Sequence, residues 1–207
     1  MNKRLNPDDM IALAGIYRKA GFHLHGMFIF GYPMPEGVDF RMSAAERVRR
    51  FRRFIRKARI DTLQVLLPVP LPGTAMYDRL EKQGRLLSAE CIGLEYYDGN
   101  FPVFTPDAPM TPESMQAGAR QIMRSFYGPR HLANVAMNIL TLPTVVLWMH
   151  GLHARWNRWH RSYWGSIYRT GGWLLVRRWT AAFRKDTFLE KLAEAKRRLT
   201  ASRGEPA

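Results

Sequence analysis

Cysteine is almost absent: Cys91 is the only one in 207 residues. A single thiol excludes an internal disulfide and gives no support for secretion. Long apolar runs are missing too. The longest candidate, Ile139 to Met149, is interrupted by Thr141, Pro143 and Thr144 and falls short of the ~20 apolar residues that a membrane-spanning helix needs. The first ten residues, MNKRLNPDDM, contain neither an apolar core nor a small-residue cleavage site, so no signal peptide is expected there. The expected location is cytoplasmic, with peripheral attachment at the inner face of the membrane as an extension. Acidic residues are scarce, 17 against 32 Lys and Arg, which leaves a net charge of +15. Two explanations stand. Arg-rich coding bias is one, since Arg outnumbers Lys 25 to 7. A polyanionic partner, nucleic acid or an anionic membrane surface, is the other.

What is present reads first as alternating helix and strand. Asn6-Pro7-Asp8-Asp9 is a helix start, with a capping side chain, a proline at the first position and acids at the positive end of the dipole. Met10, Leu13, Ala14 and Tyr17 keep helical spacing, and Gly21 closes the helix. Residues 22–30 then read as a strand ending at Gly31-Tyr32-Pro33. Ser43 with Glu46 predicts a capping box. The helix it opens has an apolar face of Val48, Phe51, Phe54, Ile55 and Ala58. Arg47, Arg49, Arg50, Arg52, Arg53, Arg56, Lys57 and Arg59 are expected on its solvated side. A second strand, Ile60 to Leu67, follows at once, so the order implies a parallel βαβ unit. Pro68, Pro70 and Pro72 carry the chain out of the sheet. A short helix from Ala75 to Gln83 follows. Cys91 to Pro109 reads as loop, and a further helix runs from Thr111 to about Tyr127.

Side chains alternate across a strand. His23, His25, Met27, Ile29 and Gly31 share one face of the first strand, and Thr62, Gln64, Leu66 and Pro68 one face of the second. These faces mix polar groups with small or apolar ones, as a ligand-facing surface does. The opposite faces are more apolar and suit covering helices.

At these residues a family resemblance becomes specific. NKRLNPDDMIALAGIYRKAGFHLHGMFIFGYP is similar to the fourth helix and fifth strand of the radical S-adenosylmethionine (SAM) partial barrel, especially in proteins that also carry a cobalamin-binding domain. QVLLPVPLPGTAMYDRLEKQGRLL resembles the sixth strand and its exit. YYDGNFPVFTP, MTPESM and SFYG fit the continuation, so the likeness covers about residues 1–130. It implies an α/β fold: a fragment of a partial (β/α)6 barrel, its last two parallel strands with flanking helices, followed by an α-helical C-terminal region. The implied divisions are barrel portion 1–84, loop-rich and helical extension 85–130, and basic Trp-rich tail 131–207.

The resemblance also implies site residues. The family's fifth strand carries Gly-x-Ile-x-Gly-x-x-Glu against SAM. Met27, Ile29 and Gly31 take its first three named places, and its last falls on Met34, with the acid Glu36 two residues late. Gln64, Leu66 and Pro68 would border the adenine side. His23, His25, Tyr32 and Glu36 are the substrate-side candidates, and no catalytic residue is assigned. The family's Cys-x-x-x-Cys-x-x-Cys motif has no counterpart, and one Cys cannot supply three thiolates. A [4Fe-4S] cluster and cobalamin are therefore expected only in a full-length relative or with a partner chain carrying the missing barrel half. Met1 sits where the fourth helix begins. A truncated gene product, a gene-prediction fragment and half of a split enzyme all agree with that, and the chain alone is expected to be inactive.

Other constellations are weaker. His23 and His25 lack further ligands at useful spacing, so no metal site is expected. All six tryptophans lie between Trp148 and Trp179. Trp156, Trp159, Tyr163 and Ile167 recur at helical spacing beside Arg155, Arg158, Arg161 and Arg169, and Gly171-Gly172 is expected to break the helix. Trp beside Arg suits a bilayer interface, which makes residues 143–179 a candidate membrane surface. The alternative to the enzyme reading is thus a non-catalytic basic helical module that binds a membrane or a partner chain. Nucleic acid is not expected, because no nucleic-acid motif accompanies the charge.

Overall fold

The computed structural model describes residues 6–35, 37–38, 41–128, 150–151, 153–184 and 186–202. Its elements are α1 (Pro7–Lys19), β1 (His25–Ile29), α2 (Ala44–Ala58), β2 (Thr62–Leu66), α3 (Ala75–Lys82), α4 (Ala89–Ile92), a 3-10 turn (Leu94–Tyr96), α5 (Pro112–Phe126), α6 (His153–Arg184) and α7 (Phe188–Ser202). The chain is α/β and mostly helical. Its contacts divide it into two compact units. One holds residues 1–26, 53–64 and 123–181, and the other 27–52, 65–122 and 182–207.

Local chemistry accounts for the first elements. The Asn6 side chain accepts the Asp9 N–H at 2.8 Å while the Asp9 carboxylate accepts the Asn6 N–H at 3.1 Å, which satisfies two amides that a helix start leaves open. β1 and β2 form a two-stranded parallel sheet. Thr62 donates to the Leu24 carbonyl at 3.1 Å and Phe30 to the Leu66 carbonyl at 2.8 Å. Both strands are shorter than the runs expected from sequence.

Alternation across β1 and β2 gives the sheet two unlike faces. His25, Met27 and Ile29 are exposed while Gly26 and Phe30 are buried; on β2, Leu63 and Val65 are buried and Thr62, Gln64 and Leu66 partly so. In the second unit Phe30 meets Phe51 of α2 edge-on, with ring centroids 5.5 Å apart. Gly118 of α5 lies so close that a Cβ there would come within 2.7 Å of the Phe30 ring.

Three sequence expectations are corrected. Arg47 is not on the solvated side of α2. It is buried, and its Nε–H donates to the Met42 carbonyl at 3.3 Å, so the Arg side chain serves the turn that leads into its own helix. Cys91 lies in α4 rather than in a loop, and α4 packs against α7. α6 runs through Gly171-Gly172 without a break. Packing decides this against glycine's weak helix propensity: a Cβ on Gly172 would sit 2.6 Å from Cδ1 of Tyr127, so the missing side chain makes room for a ring.

Tyr127 also seals a sheet edge. Its hydroxyl accepts the Leu63 N–H at 2.8 Å and donates to the Leu63 carbonyl at 2.7 Å. Burial holds the phenol's pKa above its ordinary value, which keeps the donating proton in place. Tyr127→Phe leaves both Leu63 groups without these bonds. It should cost roughly 1–3 kcal/mol, read as a lower urea midpoint; an unchanged midpoint would show that the edge does not need the hydroxyl.

Candidate functional site

In parallel α/β folds, chemistry gathers at the C-terminal ends of the strands. β1 leaves the sheet through Gly31, which adopts φ +85°. A Cβ at Gly31 would run into Met115 of α5, 2.7 Å from its Cγ, so glycine is required twice over, by backbone and by space. Tyr32 is exposed and Pro33 buried. The Met34 N–H then donates to Oδ2 of Asp107 at 2.7 Å.

Asp107 belongs to the wall of a cavity of about 570 Å³ that includes Met34, Val38, Arg41, Arg85 and Pro109. Arg85 fixes this wall. Its Nη2 contacts Asp107 Oδ1 at 2.7 Å, its Nε donates to the Thr105 carbonyl at 2.9 Å, and its Nη1 to Gln83 Oε1 at 3.0 Å. Nearby, burial lowers the pKa of the Arg47 guanidinium and the charge of Asp107 opposes that shift. Arg41 and Arg85 against the one carboxylate of Asp107 give the cavity a cationic wall beside apolar Met34, Val38 and Pro109. Such a lining suits an anionic group on an apolar body.

The candidate residues fall in several places, and none of the described ones lines this cavity. Met27 and Ile29 stand on the open face of β1, 68% and 55% exposed. Gln64 and Leu66 are half-buried on β2, and Pro68 is buried just beyond it. Gly31 is buried at the strand exit. His25 Nδ1 and Thr62 Oγ1 hydrogen-bond at 2.8 Å. His23 precedes β1, with Nδ1 4.0 Å from Asp61 and its ring edge-on to Tyr168. Glu36 lies outside the described residues. Among the described residues, no group of three His, Cys, Asp or Glu could hold a metal ion.

Sequence reasoning missed Arg85 and Asp107, 22 positions apart and brought together beside the antiparallel bridge of Leu86 with Phe104. It also missed a polar cluster in the first unit, around Asp61. There Arg18 Nη1 donates to both carboxylate oxygens, at 2.9 and 3.0 Å, and the Leu24 N–H to one at 2.9 Å. Arg169 of α6 reaches the same turn, donating to the Ile60 carbonyl at 3.1 Å while its guanidinium stacks over Phe126. Burial lowers the Arg169 pKa and Asp61 opposes that shift. An Asp directly before a strand was the one available signal.

No protein-family model matches the chain, and no curated protein matches it.

Proposed function

We propose that this chain is the C-terminal part of a radical SAM enzyme of the cobalamin-associated group. β1 and β2 act as the fifth and sixth barrel strands. Met27, Ile29, Gly31, Gln64, Leu66 and Pro68 form one side of the SAM cleft, with His23, His25, Tyr32 and Glu36 on the substrate side. A partner chain or segment supplies the missing barrel strands.

The observation that supports this most is the unequal finish of the two sheet edges. The outer edge of β2 is closed: Tyr127 bonds both Leu63 groups, and the Leu67 N–H donates to the Gly99 carbonyl at 2.6 Å. Among the described residues, no backbone hydrogen bond reaches the outward-pointing groups of Met27 or Ile29 on β1. An apolar, unpaired edge is a template for another strand.

The iron–sulfur cluster does not fit this chain by itself. Cys91 is its one cysteine, exposed in α4, and three thiolates are needed to hold a cluster with one iron open. This chain's share is therefore binding and orientation. Apolar surface at Met27 and Ile29, backbone at Gly31 and the amide of Gln64 are groups able to grip an adenosyl moiety.

Reading the DNA on the 5′ side of the Met1 codon tests the proposal. A Cys-x-x-x-Cys-x-x-Cys segment, in the same or a neighbouring frame, supports it; none nearby removes it. The isolated chain, reconstituted anaerobically with iron and sulfide, should develop no cluster absorbance and form no 5′-deoxyadenosine from SAM. Stoichiometric iron with product formation would overturn the assignment of the cluster to another segment.

A further inference from the structure

We propose that the solvent-facing side of α6 is a docking face for an anionic lipid bilayer surface. This stands apart from the barrel reading and uses none of its residues. The rotation of α6 within the first unit is fixed by packing. Val176 and Thr180 are buried, Gly172 meets Tyr127, and Arg169 reaches the Ile60 and Asp61 carbonyls. One side of α6 is therefore held inward.

The side turned away from these residues faces water and carries large apolar groups. Trp164, Tyr168 and Leu175 lie at i, i+4 and i+11, one line along a helix, and are 39%, 49% and 70% exposed. Leu174, beside that line, is 56% exposed. A helix packed on a protein and facing water carries polar residues outward; this one carries indole, phenol and two leucines. The ring of His23 sits edge-on to Tyr168 at the same surface. Large apolar side chains exposed along one helix mark a candidate interaction site.

Charge selects the occupant. From Ser114 to Lys185 the sequence contains no Asp or Glu but eleven Arg or Lys. Arg178 is exposed between Leu174 and Leu175 around the helix, and Arg177, exposed on the far side of Leu174, lies over the Trp173 ring at 5.3 Å. Aromatic and aliphatic groups between cations match the headgroup region, where indole sits at the boundary and arginine meets phosphate. Among the described residues no helix is long and apolar enough to cross a membrane, so α6 lies along the surface.

The test uses the full chain and vesicles of phosphatidylcholine with phosphatidylglycerol. Co-sedimentation at low salt and a blue shift of Trp emission are expected, with binding roughly tenfold or more weaker on phosphatidylcholine alone. Arg177→Gln with Arg178→Gln should weaken binding to the anionic vesicles by roughly tenfold or more. Leu174→Glu with Leu175→Glu should abolish the blue shift and most of the binding; both positions are exposed, and an unchanged circular dichroism spectrum shows that the fold is kept. Failure of the wild-type chain to sediment overturns the proposal. So does undiminished binding by the glutamate variant. Binding to a DNA oligonucleotide that matches the vesicle affinity, lost only in the arginine variant, also overturns it and assigns the face to polyanions in general.

Discussion

Asp61→Ala should destabilise the chain by about 3–5 kcal/mol, the cost of removing one partner from a buried ion pair. Asp61 is 7% exposed and accepts three hydrogen bonds, two from Arg18 and one from the Leu24 amide. Arg18 also donates to the Arg59 carbonyl at 2.5 Å. Without the carboxylate, a largely covered guanidinium and the amide leading into β1 lose their acceptor together. Asp61→Asn keeps one acceptor oxygen and should lose less than half as much. Urea unfolding followed by circular dichroism reads both. Equal midpoints for wild type and Asp61→Ala would mean that water replaces the carboxylate without loss, and that the cluster does not hold α1 to the turn before β2.

The second large effect is expected at Phe30. This side chain is fully buried, between Phe51 and Gly118. Truncation to Ala should cost about 3–5 kcal/mol through lost burial and the cavity left behind. A sharper test is coupling. Gly118→Val alone should destabilise, because its Cβ would meet the Phe30 ring at 2.7 Å. In the Phe30→Ala background the same valine fills vacated space, so the double variant should be more stable than the sum of the single losses. Strict additivity would show that α5 shifts to relieve the contact.

Much of the architecture was legible because it rests on local rules. The Asn6–Asp9 box, the strand–helix–strand order and the two faces of β1 need only capping chemistry and periods of 3.6 and 2. What stayed hidden depends on contacts between distant residues. Arg47 looked like one more arginine on a basic helix, yet the turn at Met42 gives its side chain an inward acceptor. Gly171-Gly172 looked like a break, since glycine weakens a helix; a tyrosine 45 positions earlier makes the gap at Gly172 useful. Arg85 and Asp107 meet beside one β-bridge that carries no turn signature. For the candidate site, the open face with Met27, Ile29, Gln64 and Leu66 could be drawn from parity, whereas the cationic cavity beyond Gly31 could not.

Gly172 does more than admit the Tyr127 ring. By allowing contact at one point on the circumference of α6, it works as an index mark for the helix's rotational phase. Successive helix positions are about 100° apart. Moving the glycine one place along the sequence would turn the whole helix by that angle to seat the same ring. Trp164, Tyr168 and Leu175 would turn by the same angle, and a different set of side chains would meet the surroundings. The outward chemistry of a helix of 32 residues is thus set by an atom that one residue lacks.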